Sequence, residues 1–137
     1  MADAIALEVA TPMRLVVTEA VDEVVAPGSE GYFGVLPGHA PFLTTLGVGE
    51  LTYRKGHHEF HLAVAGGFAE VRNDKMIVLA DSAETPGEID RQRAERARQR
   101  AEQRLGGRGQ EEDIDYARCL AALARALIRL QVAGRSQ

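Results

Sequence analysis

The hydrophobic pattern changes period near residue 85, and no single type of secondary structure accommodates both periods. Before that point apolar and polar residues alternate in short runs such as IALEVA, RLVV, GYFGVL, GVGELTY and MIVLA. Successive side chains on a strand point to opposite faces, so Ile5, Leu7 and Val9 share one. PGSEG, RKGHH and RNDK separate the runs with turn chemistry. Short strands at this spacing predict an all-β sandwich or flattened barrel.

Beyond residue 85 the period becomes helical. TPGE supplies Thr85 as a cap, Pro86 at the first helical position and Glu88 three residues after the cap, a capping-box pattern. Ile89, Ala94, Ala97, Ala101 and Leu105 then recur near helical spacing. GGRG at 106–109 ends this helix, and EEDID gives the next an acidic first turn, which its dipole favours. Tyr116, Leu120, Leu123, Leu127 and Leu130 form one stripe, with Ala117, Ala121, Ala124 and Ile128 beside it. Two helices joined by a short glycine loop predict an antiparallel pair. The expected class is therefore α+β: an N-terminal antiparallel β-sandwich over 1–85, then a two-helix hairpin over 86–137. Such a hairpin is marginal by itself and must lean on the β domain, a ligand or a partner. Elements of low local stability are the ones that can move.

Charge divides along the same boundary. Residues 1–85 carry twelve Asp/Glu and five Lys/Arg, whereas 86–137 carry eight Asp/Glu and eleven Arg without any Lys. An all-Arg tail suits bidentate contacts to carboxylate or phosphate, although GC-rich coding produces the same bias. Alternating Arg with Glu and Gln in RQRAERARQRAEQR lets opposite charges satisfy each other, and the acidic first half repels a phosphate backbone, so nucleic acid is not an expected partner. A single cysteine, Cys119, excludes an internal disulfide and, with no cationic-then-apolar leader, points to a reducing cytosolic setting. No run approaches the ~20 apolar residues a membrane helix needs, so direct insertion is not expected.

Few residues suggest chemistry of their own. His57, Glu59 and His61 would share a strand face and could hold iron or zinc, but they adjoin a hairpin tip. His39, between two prolines, suits backbone bonding better than catalysis. Cys119 lies in an apolar-rich helix, where a thiol is small packing. Nucleophile-elbow, phosphate-loop and dinucleotide fingerprints are absent. Gly66 and Gly67 interrupt a strand pattern, as a bulge or a close backbone approach requires.

GYFGVLPGHAPFLTTLGVGEL, then AVAGGFAEV, then a helical tail, in this order and at this length, resembles the epsilon subunits of bacterial F-type ATP synthases over nearly the whole chain. The resemblance implies a non-catalytic subunit of the central stalk of a proton-translocating enzyme. It would sit peripherally on the cytoplasmic face of the bacterial inner membrane. Its β-sandwich would dock on the gamma subunit and the c-subunit ring, with Gly34, Leu36, Pro37, Gly38, His39, Ala40 and Pro41 shaping a stiff docking loop. Its hairpin would either fold on the sandwich or extend toward the catalytic alpha and beta subunits and inhibit hydrolysis. No cofactor is implied as a requirement, but some family members bind ATP as a regulator through an I/L-D-x-x-R-A motif. Ile89, Asp90, Arg93 and Ala94 match it, and Glu84, Arg125 and Arg129 match further contributors. Two alternatives remain at this level: a free-standing ATP-sensing adaptor, and a small metal-dependent enzyme using His57, Glu59 and His61.

Overall fold

The computed structural model describes residues 4–107 and 115–135. Eight strands are found among them: β1 Ile5–Ala10, β2 Leu15–Val21, β3 Glu23–Gly28, β4 Gly31–Val35, β5 Phe42–Thr45, β6 Val48–Lys55, β7 His58–Arg72 and β8 Lys75–Glu84. One turn of 3-10 helix follows at Pro86–Glu88, then α1 Arg91–Leu105 and α2 Tyr116–Ala133. The three turns expected from sequence all form. Ser29–Glu30 joins Gly28 to Gly31, Gly56–His57 joins Lys55 to His58, and Asn73–Asp74 joins Arg72 to Lys75. Asn73 and Asp74 both take positive φ (53° and 58°), the geometry a two-residue hairpin of matching twist demands.

Strands pair in the order β2-β1-β8-β7-β6-β3-β4, and β5 also pairs with β7. All pairings are antiparallel except β1 with β8, which run parallel with Leu7 opposite Met76. This pair joins residues some seventy positions apart, and alternation alone does not disclose its direction.

β7 is the spine. Residues 58–65 pair with β6, and residues 68–71 pair with β5. The strand turns between these halves at Gly66 (φ 68°) and Gly67 (φ 103°). Its register with β8 is the same on both sides, Ala65 opposite Ser82 and Gly67 opposite Ala80, so the break is a bend rather than a bulge. The buried set nevertheless changes parity, from Leu62 and Val64 to Ala69 and Val71, and β8 changes with it, from Met76 and Val78 to Ala83. A side chain at Gly67 has no room: a Cβ there would lie 2.0 Å from the Leu79 carbonyl oxygen. The bend curls the sheet around one core that contains Ile5, Leu7, Val9, Val24, Leu51, Leu62, Val71, Met76 and Val78.

The helices begin later than the sequence pattern predicts. Glu88 does close on Thr85, its carboxylate accepting from the Thr85 N–H at 2.9 Å, but this capping box serves only the 3-10 turn. Ile89 is extended, and Asp90 starts α1 afresh by accepting from the Arg93 N–H at 3.0 Å. Gly106 ends α1 as expected. Of EEDID, Asp115 caps α2 by accepting from the Arg118 N–H, and residues 111–114 lie outside the described residues.

α2, rather than α1, makes the main contact with β6 and β7. The buried residues of α2 are Cys119, Ala126 and Val132, not the leucine stripe. Tyr116, Leu120 and Leu127 are exposed, and Leu123 and Leu130 are half-buried. The cause is α1, whose buried residues are the small Ala94 and Ala101. Alanines allow close approach but cannot cover leucines. Against the sheet the hairpin buries only a small apolar cluster, Ala63, Ile89 and Val132 with Ile128 and Ala133 beside them.

Candidate functional site

Where the hairpin meets the sheet, a cleft of about 630 Å³ opens. That volume lies within the range of small-molecule sites. Its floor is the bend region of β7 and β8, from Ala63 to Ala65 and Asp81 to Glu84. α1 contributes Arg93, Ala97 and Arg100, and α2 contributes Ala122, Arg125, Ala126 and Arg129. Each set repeats at three- and four-residue steps, so each is one helix face. Alanines on these faces leave room between them, and Arg129 reaches across to Glu84 on β8. The turn between β1 and β2 closes one side with Thr11, Met13 and Arg14.

Electrostatics favour a polyanion. Five arginines line the cleft against three carboxylates, Asp81, Glu84 and Glu88, an excess of two positive charges. Arg129 is committed to Glu84 in a two-pronged pair, Nε to Oε1 at 2.7 Å and Nη2 to Oε2 at 3.1 Å. Arg14 is committed to Glu88 at 2.7 Å. The Thr85 N–H, opposed by burial and assisted by Arg14, holds the Glu88 carboxyl below its ordinary range. The guanidinium groups of Arg93, Arg100 and Arg125 have no partner among the described residues. A planar guanidinium fork matches phosphate or carboxylate oxygens, so three unpaired forks around one cavity can hold a multiply charged anion.

Of the residues the sequence nominates for ATP, Glu84, Arg93, Arg125 and Arg129 line this cleft, while Ile89, Asp90 and Ala94 stand beside it. Ile89 is buried against Ala63 and Val132, Ala94 is buried on the inner face of α1, and Asp90 caps that helix. Replacing Asp90 by alanine is therefore expected to cost about 1 kcal/mol of helix stability with or without nucleotide. Circular dichroism of the hairpin during thermal melting would register it, and an unchanged melt would deny the capping role. Arg14 and Arg100 escaped the sequence reading. Arg100 follows Arg93 by seven residues, two turns along the same face, and that spacing could have revealed it. Arg14 lies 74 residues from Glu88, and no local pattern connects them.

The segment from Gly34 to Pro41 has the turn geometry its prolines and glycines imply. The His39 N–H donates to the Leu36 carbonyl at 3.1 Å across Pro37 and Gly38, with Gly38 at φ 89°. Proline followed by a positive-φ glycine is the signature of a type II turn. The Gly38 N–H donates to Asp74 at 2.6 Å, which ties the turn to the neighbouring hairpin tip. His39 Nδ1 lies 2.6 Å from the Ala40 carbonyl, and its ring lies against Phe42. Leu36, Phe42 and Leu43 around this turn are exposed. Gly34 is in β4, and Ala40 and Pro41 lead into β5.

The histidine cluster is used differently from a metal site. His61 Nδ1 faces Glu50 at 3.0 Å, Glu59 is largely exposed, and His57 is in the turn. Among the described residues no group of three or more His, Cys, Asp and Glu side chains is arranged to hold a metal ion.

Fold and site together define a bent β-sandwich with a small helical hairpin laid against it and a basic cleft at the junction. Residues 4–86 match the family model described as the ATP synthase delta/epsilon chain beta-sandwich domain, and residues 88–134 match the long alpha-helix domain of the same chain. The ATP synthase epsilon chain of Geobacter metallireducens is 52% identical over 136 residues, 99% of this chain and 98% of that one. That of Nitratidesulfovibrio vulgaris is 52% identical over 130 residues, 95% of this chain and 96% of the relative. A chain in the Euglena gracilis mitochondrial ATP synthase shares the fold, with a TM-score of 0.80 at 23% identity over 97% of this chain and 82% of that one. The chain belongs to the epsilon-chain family of F-type ATP synthases and is a non-catalytic subunit.

Proposed function

We propose that this subunit is a regulator whose hairpin is held in the folded position by ATP bound in the junction cleft. The observation that carries the reading is the convergence of Arg93, Arg100 and Arg125, all unpaired among the described residues, on a cavity of nucleotide size. Arg129 completes the set if a phosphate takes the place of Glu84. The cleft has walls on both helices and on the sheet, so only the folded hairpin assembles it. A ligand that binds one state alone stabilises it by RT ln(1 + [L]/Kd), about 2.7 kcal/mol at a hundredfold excess over Kd. The apolar part of that interface, Ala63, Ile89 and Val132 with Ile128 and Ala133 beside them, is small enough for an energy of that size to shift the hairpin's population.

Within the synthase, the β-sandwich serves the central stalk. It docks on the gamma subunit and the c-subunit ring, and the exposed Leu36, Phe42 and Leu43 beside the rigid Pro37–Pro41 turn are the surface suited to it. When ATP falls, the hairpin releases and its arginines meet acidic surfaces of the alpha and beta subunits, which blocks hydrolysis. Its exposed Tyr116, Leu120 and Leu127 support this, since they lack cover in the folded form. The site of action is the cytoplasmic face of the bacterial inner membrane, with the subunit held peripherally. No described helix is long and apolar enough to cross a membrane.

Calorimetric titration of the chain with MgATP tests the cleft. One-to-one binding is expected, weakened by Arg93→Ala on the order of tenfold or more, the equivalent of one charge-assisted hydrogen bond. An unaltered isotherm would remove the site.

A further inference from the structure

Glu50 is the one buried charged residue among those described, at 7% exposure, and it does not line the cleft. Burying a carboxylate is costly unless it is paired and hydrogen-bonded, and this one is saturated. Arg135 grips it with two bonds, Nε to Oε2 and Nη2 to Oε1, both 2.8 Å. Gln131 Nε2 donates to Oε1 at 2.8 Å, and His61 Nδ1 faces Oε2 at 3.0 Å. The backbone is also held, the Glu50 N–H donating to the Tyr32 hydroxyl at 3.0 Å. Arg135, and after it Gln131, hold the Glu50 carboxyl below its ordinary range against the opposing effect of burial. Tyr32, Glu50 and His61 belong to the β body, whereas Gln131 and Arg135 belong to the end of the hairpin.

We infer that the Glu50–Arg135–Gln131 knot is a nucleotide-independent latch that seats the C-terminal end of α2 and so positions Arg129 and Arg125 at the cleft. The arrangement along α2 supports this. Arg129 and Arg135 bracket Val132, the residue buried against Ala63 and Ile89, so the helix is fixed by an apolar contact between two ionic ones. The two ionic contacts differ in kind. Glu84–Arg129 lies in the cleft, where an anionic ligand competes for the guanidinium. Glu50–Arg135 lies outside it, and ligand binding leaves it intact. Release of the hairpin therefore requires breaking a contact that ATP does not directly govern. The carboxylate stays on the sheet, and with Arg135 gone its remaining hairpin partner is Gln131.

The idea rests on the cleft reading for its consequence but not for its test. Hydrogen exchange of the full-length chain, with and without MgATP, compares the parent with Arg135→Ala and Arg135→Lys. For Arg135→Ala without nucleotide, amides of α2 exchange faster on the order of tenfold or more, as local opening predicts when charge-assisted hydrogen bonds are lost. Amides of β1 and β8 keep their rates. Arg135→Lys, which retains charge without the fork, falls between. Unchanged exchange in α2 overturns the latch. So does equal acceleration in β1 and β8, because the knot would then merely support the whole fold. If MgATP alters exchange in no protein while the Arg135→Ala difference persists, the cleft reading fails and the latch stands.

Discussion

Gly67→Ala is expected to unfold the β body or come close to it. The added Cβ would meet backbone on the neighbouring strand, 2.0 Å from the Leu79 oxygen and 2.7 Å from the Ala80 Cα. Backbone atoms of a paired strand cannot swing aside as a side chain can. The φ of 103° adds strain, because it lies beyond the left-handed region that other residues tolerate. A cost of about 4 kcal/mol or more follows, at the extreme end of single substitutions. Whole domains are stable by only about 5–15 kcal/mol. For a β body of this size the melting temperature should fall by roughly 20 °C or more. Gly66→Ala is the control. Its Cβ would meet the Asp81 carboxylate, which is exposed and can rotate away, and its φ of 68° is the milder one. About 1–2 kcal/mol is expected there. Equal melting temperatures for the two variants would refute the close-approach account of the bend.

Removing the hairpin after residue 87 should have the opposite character, with little effect on the β body and a large one on the complex. The core of Ile5, Leu51, Leu62 and Val78 contains no helix residue, and the cluster between hairpin and sheet takes a single buried side chain, Ala63, from the strands. Glu50 would then lose Arg135 and Gln131 but gain access to water, so the buried-charge penalty disappears with the partner. The truncated chain is expected to melt within a few degrees of the parent. In the assembled synthase, on the proposed function, ATP hydrolysis should rise by a factor of roughly five, the rate equivalent of about 1 kcal/mol. It should also lose its dependence on ATP concentration through this subunit. A hydrolysis assay on the reconstituted complex decides the matter, and an unchanged rate removes the inhibitory role while leaving docking untouched.

The cleft was partly legible in the sequence because four of its residues, Glu84, Arg93, Arg125 and Arg129, are among those the family resemblance implies for nucleotide. The same set includes Ile89, Asp90 and Ala94, whose places here are explained by packing and helix capping. A motif records which residues occur together and does not separate those that face a ligand from those that hold the facing ones in place. The Glu50 knot was illegible for a different reason. Within GVGELTY, Glu50 reads as an ordinary polar position of an alternating strand, and its partner lies 85 residues away.

By itself, the sequence determined the division into a β body and a helical pair, the turns, and the shared inward face of Ile5, Leu7 and Val9 on β1. These depend on periodicity and on the φ preferences of Gly, Pro, Asn and Asp, which act over a few residues. Tertiary structure alone decided the parallel pairing of β1 with β8, the exposure of the α2 leucines and the burial of Glu50. It also decided the arrival of Arg14 at the cleft, beside Glu88. Each depends on what arrives from a distant segment, and a local pattern carries no information about its neighbour's shape or charge.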